Sequence, residues 1–264
     1  MRKILGNIIK ANKIFNLIEN GDRICVGVSG GKDSTALLYA LSLYKKILAK
    51  ENINIDIIGV HLKLNLCAID FETIACFWKE QGIEFYFEDS KMGEILKASM
   101  KKNKIQCSLC SKMKKAILID AAKKYHCNKV AMGHHADDAI ETLFLNMINE
   151  GRIATFKAKM FLDRTKIWFI RPLITCREKD IKSAINRLKA PIIPCGCPME
   201  GFTQRDQMKN FLKKYFYEDK KWKSAYRNFY IALMNGKESD LWFIDEKENK
   251  IIDLDLRELG RKKQ

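Results

Sequence analysis

Residues 24–35 read I-C-V-G-V-S-G-G-K-D-S-T, and no other stretch restricts the fold of this chain as tightly. A short apolar run leads into Ser29, Gly30, Gly31, Lys32, Asp33 and Ser34, and a helical apolar pattern through Ala36, Leu37, Leu38, Ala40 and Leu41 follows at once. The expectation is strand, tight turn, helix. Paired glycines let the backbone turn sharply and come close to a ligand. The helix that follows supplies N–H groups without intrahelical partners and the positive end of its dipole. Such a turn cradles phosphate. An ordinary strand-to-helix turn would account for a lone Gly-Gly pair, whereas the whole hexapeptide in this context favours a nucleotide. It is not the Walker pattern, which needs a Gly-Lys-Ser/Thr triplet preceded by a further Gly.

The periodicity of the rest of the chain supports an α/β architecture. A leading helix is expected within residues 1–19 (Ile4, Ile8, Ile9, Ile14, Phe15, Ile18), stopped by Asn20-Gly21-Asp22. Strands are expected at 23–28, 53–61, 84–87 and 128–132, and helices at 33–50, 69–81 (closed by Gly82), 112–125 and 139–148. The apolar side of the 112–125 helix would be Ala116, Ile117, Ile119, Ala121 and Ala122. Residues 156–170 suggest a hairpin around Asp163-Arg164, and R-P-L-I-T-C-R-E-K-D-I opens a further helix with Thr175 as its cap. Strand and helix alternate with crossovers long enough for parallel pairing. The predicted fold is therefore a doubly wound, mainly parallel sheet, with the ligand outside the carboxyl ends of its strands. That rule lines up the Gly-Gly turn, His61, Gly133, His134 and His135 on one rim, although His61 would equally suit the surface. Residues 1–190 are read as the α/β domain, with residues 1–20 as its leading helix. Residues 191–264 are read as a cysteine loop and a helical, basic-aromatic appendage packed on it.

At 264 residues and 47% hydrophobic, with 4 Pro and 14 Gly, the chain can bury one sizeable core and is not disordered. A net charge of +16 exceeds what solubility requires and points to a polyanion, nucleic acid first, although a lysine-rich coding bias would also write it. No apolar run approaches a membrane span, and Lys3, Lys10, Lys13 and Glu19 interrupt the first segment, so a cytoplasmic protein is expected.

Nine cysteines without an export signal favour metal or redox chemistry over disulfides. Cys107-Ser108-Leu109-Cys110 has the spacing for two thiolates on one metal, and Cys195-Gly196-Cys197 supplies a second pair in a proline-rich loop. Four thiolates would close a structural zinc site, while three would leave one iron of a 4Fe-4S cluster open to exogenous sulfur. The spacing does not separate the two. Cys25, Cys67, Cys76, Cys127 and Cys176 read as buried small hydrophobes.

The hexapeptide S-G-G-K-D-S resembles the PP-loop of ATP pyrophosphatases. The likeness extends through C-S-L-C, through G-H-H-A-D-D-A-I-E-T-L-F-L-N-M at 133–147, through R-P-L-I-T-C-R-E-K-D-I at 171–181 and through P-I-I-P-C at 191–195. In that order and separation these segments resemble the tRNA 2-thiocytidine synthetase family. The resemblance implies a PP-loop-type fold in which Ser29, Gly30, Gly31, Lys32 and Ser34 hold the pyrophosphate end of ATP and Asp33 helps place Mg²⁺. It also implies Asp137 in a catalytic role, a 4Fe-4S cluster, tRNA cytidine 32 as substrate, a sulfur donor such as a cysteine desulfurase or sulfide, and a homodimer. The ligands implied are Cys107, Cys110 and Cys197, with Cys195 in reserve. Here the chain departs from the family, which has C-x-x-C followed by Gly-Ser-Gln where this chain has C-x-C. Counting back from Gln204-Arg205 selects Cys197.

The remaining features have plainer readings beside the functional ones. One of Asp137 and Asp138 is needed only to cap a helix, and His134 and His135, adjacent in sequence, should point apart and line a pocket rather than share a metal. Lys112, Lys114 and Lys115 either flank the cluster or form a solvated face. The interleaved bases and aromatics of residues 213–230 suit single-stranded RNA, but for aromatics at helical spacing core is the stronger reading. Three rival functions remain open: a PP-loop thiouridine synthetase acting on a uridine, a lysidine synthetase-like ligase with structural zinc, and a non-enzymatic zinc-stabilised RNA-binding protein, which would leave the PP-loop unexplained.

Overall fold

Apolar residues alternate along β1 (Arg23–Gly27), with Ile24 and Val26 buried against one helical layer and Cys25 against the other. A strand covered on both faces is what a parallel sheet requires. The computed structural model describes residues 1–63, 70–90, 92, 93, 95, 107–192 and 201–235, apart from the side chains at 107 and 108. Around β1 the chain lays down α1 (Arg2–Phe15), α2 (Lys32–Lys50), β2 (Asp56–Lys63), α3 (Phe71–Glu80) and β3 (Glu84–Asp89). It continues with α4 (Cys107–Lys124), β4 (Lys129–Ala131), α5 (Ala136–Glu150), β5 (Lys159–Leu162), β6 (Ile167–Ile170) and α6 (Glu178–Leu188). Last come α7 (Gln204–Leu212), a π-helical turn and a 3₁₀ turn, and α8 (Ala225–Met234).

Among the described residues six strands run in the order β3-β2-β1-β4-β6-β5, all parallel except the β5–β6 hairpin. The chain winds outward from β1 to β3 and then returns to place β4 on the other side of β1. That reversal puts the switch point, where such sheets bind ligands, at the carboxyl ends of β1 and β4. One face carries α1, α2, α3 and α6 on a large apolar core, and the other carries α4, whose Leu118, Ala121 and Ala122 cover Cys25, Ile58 and Val130. Lys129, the first residue of the buried β4, is only 2% exposed, and its Nζ pairs with Asp22 at 2.7 Å and donates to the Leu17 carbonyl at 2.9 Å. This pair ties the link before β1 to β4.

Several sequence expectations need correction. The C-x-x-C does not precede a helix but forms the first turn of α4, since nothing in Cys107-Ser108-Leu109-Cys110 opposes helix. Ala116 is exposed, and Leu118 takes its place on the apolar side. Cys25, Cys127 and Cys176 are buried, but Cys76 is exposed, because α3 buries Ile74 and Trp78 and turns position 76 outward. Thr175 does not cap α6, as its hydroxyl donates to the Asn7 carbonyl of α1 at 2.9 Å, and Arg177 occupies the cap position. His61 is not a surface residue, being buried at the end of β2. Cys67, Cys195 and Cys197 lie outside the described residues. Among the described residues, no helix is long and apolar enough to cross a membrane.

Residues 201–235 pack on α5 rather than on the sheet. Met208 and Leu212 of α7 meet Ile140, and Phe216, Tyr217, Tyr226 and Phe229 join Phe144 around them. The aromatics therefore divide: these form a small core, while Phe211, Tyr215 and Trp222 are exposed.

Candidate functional site

The turn after β1 is built from backbone. Gly30 sits at φ 87°, a conformation favoured by glycine, and Gly31 begins α2 without any side-chain cap, so the first-turn N–H groups face the rim. Hydroxyls brace the curve: Ser34 Oγ accepts from the Ser29 N–H at 3.1 Å, donates to the Gly31 carbonyl at 3.1 Å, and lies 3.1 Å from Ser29 Oγ. His61 supports the turn from below. Its Nδ1 lies 2.9 Å from the Val28 carbonyl, so Nδ1 carries the proton, and burial lowers its pKa despite that bond. Gly133, after β4, closes the other side. A Cβ there would lie 3.0 Å from Ser34 N and 3.1 Å from the Asp33 carbonyl carbon.

Charged side chains gather above this floor. Lys32 Nζ lies 3.0 Å from Asp33 Oδ2 and 2.9 Å from Glu178 Oε1, and Lys209 Nζ lies 2.6 Å from the same Glu178 oxygen. Burial alone would lower Lys32, but Asp33 and Glu178 outweigh it and keep it cationic. Burial would likewise raise Glu178, but hydrogen bonds from Lys209 and Lys32 hold it down at about 2. Asp33 Oδ1 is buried and accepts no hydrogen bond from the described residues, with His135 Nε2 3.7 Å away. An acceptor-only oxygen left unpaired beside a phosphate-binding turn suits a Mg²⁺ ion. Lys32, Asp33, Ser29, Ser34, Gly30, Gly31, Gly133 and His61 are thus brought together.

The two histidines and two aspartates separate by role. His135 and Asp138 cap α5 reciprocally, the Asp138 N–H donating to His135 Nδ1 at 3.3 Å and the His135 N–H to Asp138 Oδ2 at 2.9 Å. With Nδ1 accepting, the Nε2–H of His135 faces Asp33. Asp137 turns the other way: its Oδ2 accepts from the Glu178 N–H at 2.8 Å and from the Tyr226 hydroxyl at 3.2 Å, capping α6 from a neighbouring helix. His134 lies 5.1 Å from the Phe156 ring, and burial pushes its pKa well down, so it is neutral. Glu178, Lys209, Arg205 and Glu141 escaped the sequence reading. Arg205 lies 3.6 Å from Asp138 and donates to Thr142 Oγ1 at 3.0 Å, and burial raises Glu141 to about 8, with Asp138 adding to the effect. Only the position of Glu178 at the start of a helix inside the 171–181 segment offered a signal.

The cysteine pair reaches the same rim from the opposite sheet face. Tyr125, after α4, accepts from Arg23 at the start of β1, while Leu118 packs on Gly27 at its end, so α4 runs against β1. Cys110 lies eight residues, or ~12 Å of helix, further in that direction, beyond the carboxyl ends of the strands. It is half-buried beside Met92, Leu109, Met113 and Ile117. Lys114 comes close enough to His61 to help lower its pKa, Lys115 stacks over the Phe169 ring at 5.0 Å, and Lys112 is exposed. Among the described residues no three His, Cys, Asp or Glu side chains are grouped to hold a metal. The remaining cysteines named for the cluster fall outside them.

Residues 6–191 match the PP-loop domain family. A tRNA-cytidine(32) 2-sulfurtransferase of Hahella chejuensis is 35% identical over 243 residues, covering 91% of this chain and 83% of that protein. The chain belongs to the PP-loop family, in its tRNA 2-thiocytidine synthetase branch. A tRNA-cytidine(32) 2-sulfurtransferase of Yersinia pestis is 34% identical over 241 residues, covering 91% of this chain and 75% of that one. The PP-loop fold is shared with the U34-tRNA thiolase NcsA from Methanococcus maripaludis, solved with its 4Fe-4S cluster. The match has a TM-score of 0.62 and 21% identity, over 87% of this chain and 78% of that one. The PP-loop match ends at residue 191, so α7 and α8 lie beyond it.

Proposed function

We propose that the protein is an ATP-dependent tRNA-cytidine 2-sulfurtransferase that replaces the C2 oxygen of cytidine 32 with sulfur. The observation that supports this reading is the buried, unpaired Asp33 Oδ1 beside Lys32 at the backbone turn, on the rim toward which the first turn of α4 projects. A cytidine carbonyl oxygen is a poor leaving group. In the proposed reaction it attacks the α-phosphorus of ATP, the bond to pyrophosphate breaks, and C2 becomes linked through oxygen to AMP. Hydrosulfide then bonds to C2; sulfur drawn from a cysteine desulfurase as a persulfide enters this step only after a thiol has reduced it to hydrosulfide, the thiol being oxidised to a disulfide. The C–O bond breaks, AMP departs with the oxygen, and the sulfur loses its proton.

Ser29, Gly30, Gly31, Lys32 and Ser34 would hold the pyrophosphate, with Lys32 countering the charge that grows on it as it leaves. Asp33 would hold Mg²⁺, which would neutralise the polyphosphate. Gly133, His61 and His134 would line or support the nucleotide, and Asp137 would orient the reacting groups at the start of α6. Cys107, Cys110 and Cys197, or Cys195 in its place, would hold a 4Fe-4S cluster, which would supply a thiophilic metal centre for handling the sulfur. Residues 1–190 would form the ATP-binding domain, with residues 191–264 as the cysteine loop and the helical layer on it. The net charge of +16 would serve tRNA binding, in the cytoplasm and in a homodimer.

Two measurements test this. In a strain lacking the gene, mass spectrometry of tRNA nucleosides should find 2-thiocytidine gone; loss of a 2-thiouridine or of lysidine instead would move the protein to another PP-loop branch. Cys107→Ala should abolish thiolation while ATP still binds, and thiolation retained in that variant would remove the cluster from the mechanism.

A further inference from the structure

Two ammonium groups from opposite sides of the site converge on one carboxylate oxygen. Lys32, in the turn, and Lys209, on α7, contact Glu178 Oε1 at 2.9 Å and 2.6 Å. Glu178 is the first residue of α6, where the helix dipole favours an anion, and its N–H is fixed by Asp137. An anionic oxygen is thus held between two lysines at the edge of a phosphate-binding turn. Lys209 keeps 44% of its side chain exposed, so its ammonium can be reached from the solvent side of the site. Arg205, one turn earlier on the same helix, also reaches this rim at Asp138, so α7 presents a basic edge to the site.

We propose that Lys209 is a second pyrophosphate-binding cation of this site, and that Glu178 is the internal stand-in the two lysines share until a phosphate oxygen replaces it. The assignment rests on the reading of the turn as an ATP site. On arrival of the polyphosphate, Lys32 and Lys209 exchange one anionic oxygen for another, and Glu178, repelled by the phosphates, gives up its contacts. The nucleotide site is then completed by a helix outside the matched PP-loop segment, one that directly follows the cysteine loop in the chain.

Calorimetric titration of the full-length protein with magnesium pyrophosphate, Mg·ATP and AMP provides the test. Lys209→Ala should weaken pyrophosphate and ATP binding about tenfold and leave AMP unchanged, while Lys209→Arg should restore most of the loss. Glu178→Gln should not weaken pyrophosphate binding, and Lys209→Ala should still weaken it when added to Glu178→Gln. If Lys209→Ala binds pyrophosphate like the wild type, or the double variant matches Glu178→Gln alone, Lys209 is only a tether and the assignment is wrong. Lys32→Ala separates the two levels: wild-type protein that binds no nucleotide, or binding indifferent to Lys32→Ala, overturns the ATP site itself and the Lys209 assignment with it.

Discussion

The floor of the site and its helical cover are built on different principles. The floor, from β1 through Ser34 and from β4 to Gly133, uses backbone: a left-handed glycine, an uncapped helix start, and a glycine pressed against a main-chain atom. The cover, α7 to α8, uses side chains: aromatic packing on α5 and ion pairs from Arg205 and Lys209. Backbone donors fixed by a sheet are preorganised for phosphate, whereas long basic side chains must be ordered as they bind. The floor should therefore set whether nucleotide binds and the cover how tightly.

Three substitutions strain that contrast, in order of expected effect. Gly133→Ala should lower ATP affinity by at least ~100-fold, because the added carbon meets backbone that cannot rotate away, and should cost about 1–3 kcal/mol of stability. ATP titration and urea denaturation measure both, and wild-type affinity would break the view of a rigid floor. Leu212→Ala, at a fully buried position of the cover, should cost about 2–5 kcal/mol. Hydrogen exchange should speed up in α7 and α8 but not in α2, and loss of protection in α2 would mean that the two regions are one cooperative unit. Glu141→Gln should act through pH. A buried carboxyl raised from 4.5 to about 8 favours the neutral form in the folded state, so its contribution is complete below 4.5 and disappears as pH rises through 8. Wild-type stability should fall between pH 5 and pH 8.5 through this group, and the glutamine variant should lack that fall. Equal slopes in urea midpoints against pH would refute it.

The floor was legible in the sequence because its chemistry is local: Ser29 to Ser34 are contiguous, and Gly133 and His135 follow a recognisable strand. The cover was not. Glu178 meets Lys32 and Lys209 across 146 and 31 positions, and no periodicity encodes such a meeting. Thr175 misled for the same reason, since a hydroxyl before a helix normally caps it, but here α1 lies within reach and Asp137 provides the cap. The aspartates were half legible. One cap was foreseen, but which carboxylate served which helix depended on the packing of α5 against α6.

The strand order has a consequence for how the protein is made. β1 finds β2 about thirty residues later, but its other neighbour, β4, comes 105 positions along the chain, as the bond from Arg23 to Asn128 records. Until about half the polypeptide has left the ribosome, the strand that carries the nucleotide turn has an open edge, the kind of template on which nascent chains stick to one another. Arrested chains ending before residue 129 should need chaperones more than chains ending after residue 170, where β6 has sealed β4 in turn.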